Sequence, residues 1–166
     1  MDDETADFAA WYDANYRRLV ATMHVVTGDR SAAIEAVDEA CARAFERWSR
    51  VRRMQSPEGW TWIVARNAFR TTRRSERERA AAHHRSLVQE HAAPPAMDIE
   101  VWDAVQRLPR RQREVVALRY LAGLREREIA ELLSIAPGTV ASTLHDARGV
   151  LAATLRDEPH VEYRRD

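Results

Sequence analysis

Nearly every stretch of this chain repeats its apolar residues at steps of three and four, and that period confines the fold to packed α-helices. Phe8, Trp11, Tyr12, Tyr16, Leu19, Val20 and Met23 follow it, and after the break 27-TGDRS-31 it resumes in Ile34, Val37, Cys41, Ala44, Phe45 and Trp48. A third helix is predicted from 56-SPEGW-60 through WTWIVARNAFRTTRR, with Ser56 able to cap and Pro57 able to take the first helical position. Strand-like alternation occurs nowhere at useful length.

The period dissolves in 75-SERERAAAHHRSLVQEHAAPPAM-97, whose double proline forbids a continuous helix and whose composition suits a flexible linker. Four further helices are predicted near 98–108, 110–122, 125–133 and 137–153. The expected fold is therefore all-α, with two small tethered domains. An N-terminal domain covers residues 1–76, a linker 77–97, a C-terminal domain 98–155 and a frayed tail 156–166.

Charge decides little globally, because 26 acidic residues balance 26 basic ones, and any grip on a polyanion must be local. All the basic residues are arginine, whose planar fork suits phosphates and guanine edges. Charges interrupt every apolar run before a membrane span is reached, and the acidic start MDDETADF lacks the layout of a secretory signal. The single cysteine, Cys41, permits no internal disulfide and fits a reducing compartment, so a cytoplasmic location is expected. The glycines form no phosphate loop, the histidines have no metal-ligand spacing, and no nucleophile, base and orienting acid can be assembled. Neither an enzyme nor a cofactor is expected.

Two motifs point to nucleic acid. In 125-REREIAELLSIAPGTVASTLHDAR-148, Ile129, Ala130 and Leu133 of one helix can pack on Val140, Leu144 and Ala147 of the next, with Ile135 plugging the turn. That is the shape of a DNA-binding helix-turn-helix. In 66-RNAFRTTRRSER-77, Arg66, Arg70, Arg73, Arg74 and Arg77 form a cationic stripe on the helix that begins with Trp60 and Trp62. Guanidinium for phosphates and flat rings for unstacked bases are what a single-strand site needs. The plainer reading is a solvated charged face with at least one of the two tryptophans in the core.

The chain resembles the extracytoplasmic-function (ECF) sigma factors, small two-domain initiation factors of bacterial transcription. The resemblance rests on 105-VQRLPRRQREVVALRYLAGLREREIAELLSIAPGTVASTLHDARGVL-151 and, more loosely, on YRRLV, TGDRSAAIEAVDEACARAFERW and SPEGWTWIVARN in order, together about residues 8–153. It implies core RNA polymerase and promoter DNA as partners, admits an anti-sigma factor, and gives the first domain the -10 element and the second the -35 element. Glu35, Ala36, Val37, Asp38 and Glu39 fall on the family's acidic polymerase-docking run, with Glu35 in place of Asp and Ala36 in place of Leu. On a helix whose inner face is Ile34, Val37 and Cys41, the carboxylates of Glu35, Asp38 and Glu39 turn outward, and Glu39 can pair with Arg43. Trp60, Ala65, Arg66 and Asn67 match the W…ARN segment that approaches the melted strand, while Thr71 stands where the family has aspartate.

The helix that should read duplex DNA is poorly charged. Ala141, Thr143 and Asp146 stand where the family often has Lys or Arg, and Ala136 replaces a capping Ser. What remains to contact DNA is Thr139, Ser142, Thr143, His145 and Arg148, backed by Arg110, Arg111, Arg113, Arg119, Arg125 and Arg127. A solitary repressor could not rely on such a helix, because phosphate neutralisation supplies most nonspecific affinity. A polymerase subunit can, since polymerase and a second tethered domain add to the grip. The competing readings are a stand-alone helix-turn-helix regulator, and a degenerate sigma-like protein that binds polymerase or an anti-sigma factor without reading DNA.

Overall fold

The first corner of the chain is made by three residues. Gly28 takes φ +72°, the Thr27 hydroxyl donates to the Asp29 carbonyl at 2.9 Å, and the Asp29 carboxylate caps the next helix by accepting from the Ala32 N–H at 2.9 Å. The computed structural model describes residues 3–83 and 97–157, with side chains through Ser75 and again from Met97 to Arg156. Every regular element among them is helical: α1 (Asp3–Thr27), α2 (Arg30–Glu46), α3 (Trp48–Val51), α4 (Pro57–His83), α5 (Ile99–Arg107), α6 (Arg110–Tyr120), α7 (Glu126–Leu133) and α8 (Pro137–Asp157).

Local signals set most of these boundaries. Ser56 caps α4 by accepting from the Gly59 N–H at 3.0 Å, with Pro57 at the first helical position. At α7, the Glu128 carboxylate reaches back to the Arg125 N–H at 2.6 Å. One end departs from the periodicity, because α4 continues to His83 beyond the point near residue 75 where apolar spacing stops. Its last residues, ERERAAAH, are mostly strong helix formers, so the helix outlasts its apolar face.

In the N-terminal half, α2 packs through a stripe of small side chains, Ala33, Ala36, Ala40 and Ala44, all buried. This lets α2 lie close to α4 and α1, around the fully buried Met23, Val37 and Ala65. In the C-terminal half, Ile129, Ala130 and Leu133 of α7 meet Val140, Leu144 and Ala147 of α8, all buried, with Ile135 packed in the turn. The helix-turn-helix thus forms on the residues its spacing predicts.

The two halves also share a core. The buried cluster runs without a break from Leu19, Met23 and Trp62 to Trp102, Val115 and Leu118. At the seam the His24 ring lies 4.7 Å from that of Trp102, and Gln106 donates its side-chain N–H to the Val25 carbonyl at 3.1 Å. Burial pushes the His24 pKa down, so the ring sits neutral against the indole.

The turn of the helix-turn-helix is locally suboptimal at two positions. Ser134 ends α7 in the left-handed region at φ 53°, where a Cβ is unfavourable. Ala136 precedes α8, its carbonyl accepting from Thr139 N at 2.9 Å, but it offers no side-chain cap. Ser134→Gly should stabilise by on the order of 0.5 kcal/mol and Ala136→Ser by about 1 kcal/mol. Thermal melting followed by circular dichroism should show each variant unfolding roughly 1–4 °C above the parent. A fall in both would contradict this account of the turn.

Candidate nucleic-acid interface

The α2 helix presents its carboxylates outward, because Ala36, Val37, Ala40 and Cys41 occupy the opposite, buried face. Glu35, Asp38 and Glu39 are exposed, while Ile34 is half-buried. Glu39 pairs with Arg43 at 2.5 Å, both about half exposed, an intrahelical contact worth only tenths of a kcal/mol, ~0.3–0.5. Asp38 is tied differently: it accepts from the Tyr16 hydroxyl at 2.7 Å and so anchors α1 to α2. Burial, then this carboxylate, push the Tyr16 phenol pKa up. Burial, then Asp38, likewise raise the Cys41 thiol to about 12, which keeps it protonated.

On α4 the cationic stripe divides along its length. Asn67, Arg70 and Arg74 are exposed, and Trp60 is half-buried beside them. Arg73 lies half-buried with its guanidinium 5.7 Å from the Phe69 ring. Arg77 lies on the same helix, but its side chain is outside the described residues. Thr71, at the position of the family's aspartate, donates back to the Asn67 carbonyl at 3.0 Å.

Two members of the expected single-strand site do not face solvent. Trp62 is 2% exposed and belongs to the core, so its assignment as a DNA contact is corrected. It lies on the helix face shared with Ala65 and Phe69, whereas Trp60 is two residues, or about 200°, away. Arg66 lies one turn after Trp62, its guanidinium 5.6 Å from that ring, and its Nε donates to Glu114 of α6. This ion pair is buried, with side-chain exposures of 13% and 3%. Glu114 also accepts from Arg111 at 2.9 Å.

On α8, Thr139, Ser142 and His145 form an exposed row beside exposed Ala141 and Asp146. Thr143 is half-buried, and its hydroxyl donates to the Thr139 carbonyl at 2.6 Å, so it stands at the edge of the row. Ser142 donates to the same carbonyl at 3.1 Å. Arg148 donates its Nε to the Tyr120 hydroxyl at 2.8 Å, which holds it against the end of α6. The backing arginines are partly structural. Arg113 binds the Gln106 carbonyl and side chain at 2.9 and 2.8 Å, and Arg119 binds the Leu124 carbonyl at 3.2 Å. Arg110, Arg125 and Arg127 are exposed.

The residue that sequence reasoning missed is Glu114. It stands as the one carboxylate among the arginines of 110-RRQREVVALRY-120, and that isolation was its only signal. Among the described residues no three acidic, cysteine or histidine side chains converge as metal ligands, and no helix is long and apolar enough to cross a membrane.

Two family models match this frame in order: Sigma-70 region 2 over residues 11–79 and Sigma-70 region 4 over residues 98–151. The chain belongs to the sigma-70 family. Its relatives include the ECF RNA polymerase sigma factor SigL of Mycobacterium tuberculosis, 32% identical over 162 residues that cover 93% of this chain and 92% of that protein. The probable RNA polymerase sigma factor RfaY of Xanthomonas campestris is 29% identical, over 84% of this chain and 37% of that protein. Among solved structures, the sigma factor RpoE of Bartonella quintana, in complex with the anti-sigma factor NepR, shares the fold. That match has a TM-score of 0.79 at 20% identity, over 92% of this chain and 99% of RpoE. As an ECF-type sigma factor, the chain directs RNA polymerase to promoters.

Proposed function

We propose that three outward faces of this sigma factor divide the work of initiation. The carboxylates of α2, Glu35 and Glu39 with Asp38 and Arg43 beside them, dock on core polymerase. The outer edge of α4, Trp60 with Asn67, Arg70, Arg73, Arg74 and Arg77, holds the melted -10 strand, and Arg66, paired with Glu114, stands behind it. The exposed row of α8, Thr139, Ser142 and His145, meets the -35 duplex, with Thr143 and Arg148 at its margins. The observation that carries this reading is that each polar row lies opposite a buried apolar row on its own helix, so it is held in place yet open to a partner.

The poor charge of α8 supports a subunit that borrows its grip on DNA from polymerase rather than a solitary regulator. The protein then works as a binding subunit without catalysis of its own, in the cytoplasm where polymerase and promoter are found. An anti-sigma protein is a further partner, a reading supported by the fold shared with RpoE, solved with NepR bound.

Asp38 also anchors Tyr16, so the docking face is tested more cleanly at its neighbours. Glu35→Arg with Glu39→Arg should abolish co-purification with core polymerase while helical content is retained, because charge reversal adds repulsion to the lost attraction. Undiminished co-purification would remove α2 from the polymerase interface.

On α8 the exposed Asp146 repels nearby phosphates. Asp146→Arg should tighten binding of the full chain to a -35 duplex by about fivefold, and Asp146→Arg with Ala141→Arg by roughly 30-fold, on the order of 1 kcal/mol per contact. Gel-shift titration at fixed salt reads this. Unchanged affinity in both variants would mean that this row does not face DNA, and a partner-binding, non-reading protein would be the better description.

A further inference from the structure

Tyr120, the last residue of α6, is a large aromatic side chain left 55% exposed, and its ring and hydroxyl both serve one neighbour. The Arg148 guanidinium of α8 lies 5.9 Å from the ring, and its Nε donates to the phenol oxygen at 2.8 Å. An exposed contact of this kind adds little to stability. Its effect is to fix where the guanidinium stands. Arg148 is also the one arginine on α8 before the helix's last turn, so what holds it matters to a helix so short of positive charge.

Arginine carries five N–H donors, and the bond to Tyr120 engages only the one on Nε, which leaves both Nη groups to donate elsewhere. The phenol accepts that bond through an oxygen lone pair, so its own O–H still has a proton to donate. A cationic fork and a hydroxyl donor stand side by side, and the group that accepts from both is an oxyanion. Position along α8 selects which one. In a helix-turn-helix the first residues of the second helix reach base edges. Nine residues separate Thr139 from Arg148, roughly 13 Å of helical rise, against a major groove about 12 Å wide. With Thr139 and Ser142 in the groove, Arg148 stands at its edge, where the phosphates run.

We propose that Tyr120 and Arg148 form one phosphate clamp on the DNA backbone bordering the groove that receives α8. Arg148 supplies the charge, and Tyr120 is its positioning residue and a second donor to the same phosphate. Because the arginine is held before DNA arrives, less of its rotamer freedom is lost on binding. The clamp rests on the assignment of the α8 row to the -35 duplex. Within that assignment it gives a helix with Ala141, Thr143 and Asp146 one prearranged backbone contact.

Anisotropy of a short fluorescein-labelled mixed-sequence duplex, titrated with the full chain over a series of salt concentrations, tests the clamp, because a backbone contact does not depend on sequence. Arg148→Ala should weaken binding about tenfold and flatten the slope of log affinity against log salt by about one. Tyr120→Phe keeps the ring and the charge but removes the hydroxyl. It should weaken binding roughly threefold, with the salt slope and the melting temperature of the parent. Added to Arg148→Ala it should cost little more, because without the guanidinium the phosphate is no longer held against the phenol.

Undiminished affinity in Tyr120→Phe overturns the clamp, whether or not its melting temperature falls. So does a double variant in which the two losses multiply in full, as they do for residues that act apart. Asp146→Arg separates the clamp from the reading beneath it. Tighter binding by Asp146→Arg with no loss in Tyr120→Phe overturns the clamp alone. Unchanged binding in both Asp146→Arg and Arg148→Ala, or no binding by any form at low salt, overturns the assignment of α8 and the clamp with it.

Discussion

Each helix of this chain has an apolar stripe too narrow to be stable alone, and every stripe must be covered by a neighbour. The small N-terminal and C-terminal halves answer this constraint twice, first within themselves and then against each other. Trp62 and Met23 from one side and Trp102, Val115 and Leu118 from the other fill one continuous interior. Residues placed inward by that requirement leave their helical opposites outward. The polar rows of α2, α4 and α8 are the outward remainder of the packing.

The seam between the halves is chemically unlike the rest of the core. It contains an ion pair, a histidine ring on an indole and a side-chain amide bound to a backbone carbonyl. Pairs of this kind add little net stability compared with apolar packing, yet losing one partner costs roughly 3–5 kcal/mol because the other charge stays buried. A contact with those properties specifies an arrangement more than it strengthens it. It suits two halves that must meet in one register.

What the sequence discloses and what it hides divide along sequence distance. The Ser56 and Pro57 start of α4, the outward turn of Glu35 and Glu39, and the packing of Val140, Leu144 and Ala147 all follow from neighbours within a turn or two. Their agreement with the structure is a matter of local period and capping. Trp62 and Trp60 could not be separated by composition, because only the position of the partner helices decides which ring is covered. Arg66 read as one of five equivalent arginines until a carboxylate 48 residues away claimed it. Glu114, His24 and Gln106 have no local pattern at all, since each acts across the seam. The end of α4 departs from the apolar period for the opposite reason: propensity carries the helix to His83 where no packing marks it.

The family assignment and the three outward faces together describe a protein whose function is read only in the presence of polymerase. Run-off transcription with purified core RNA polymerase and genomic promoter fragments tests this most directly. New start sites that appear only when the protein is added, and that vanish with the charge-reversed α2 face, are the predicted result. No polymerase-dependent start site on any fragment, from protein that binds promoter duplex tightly by itself, would contradict it.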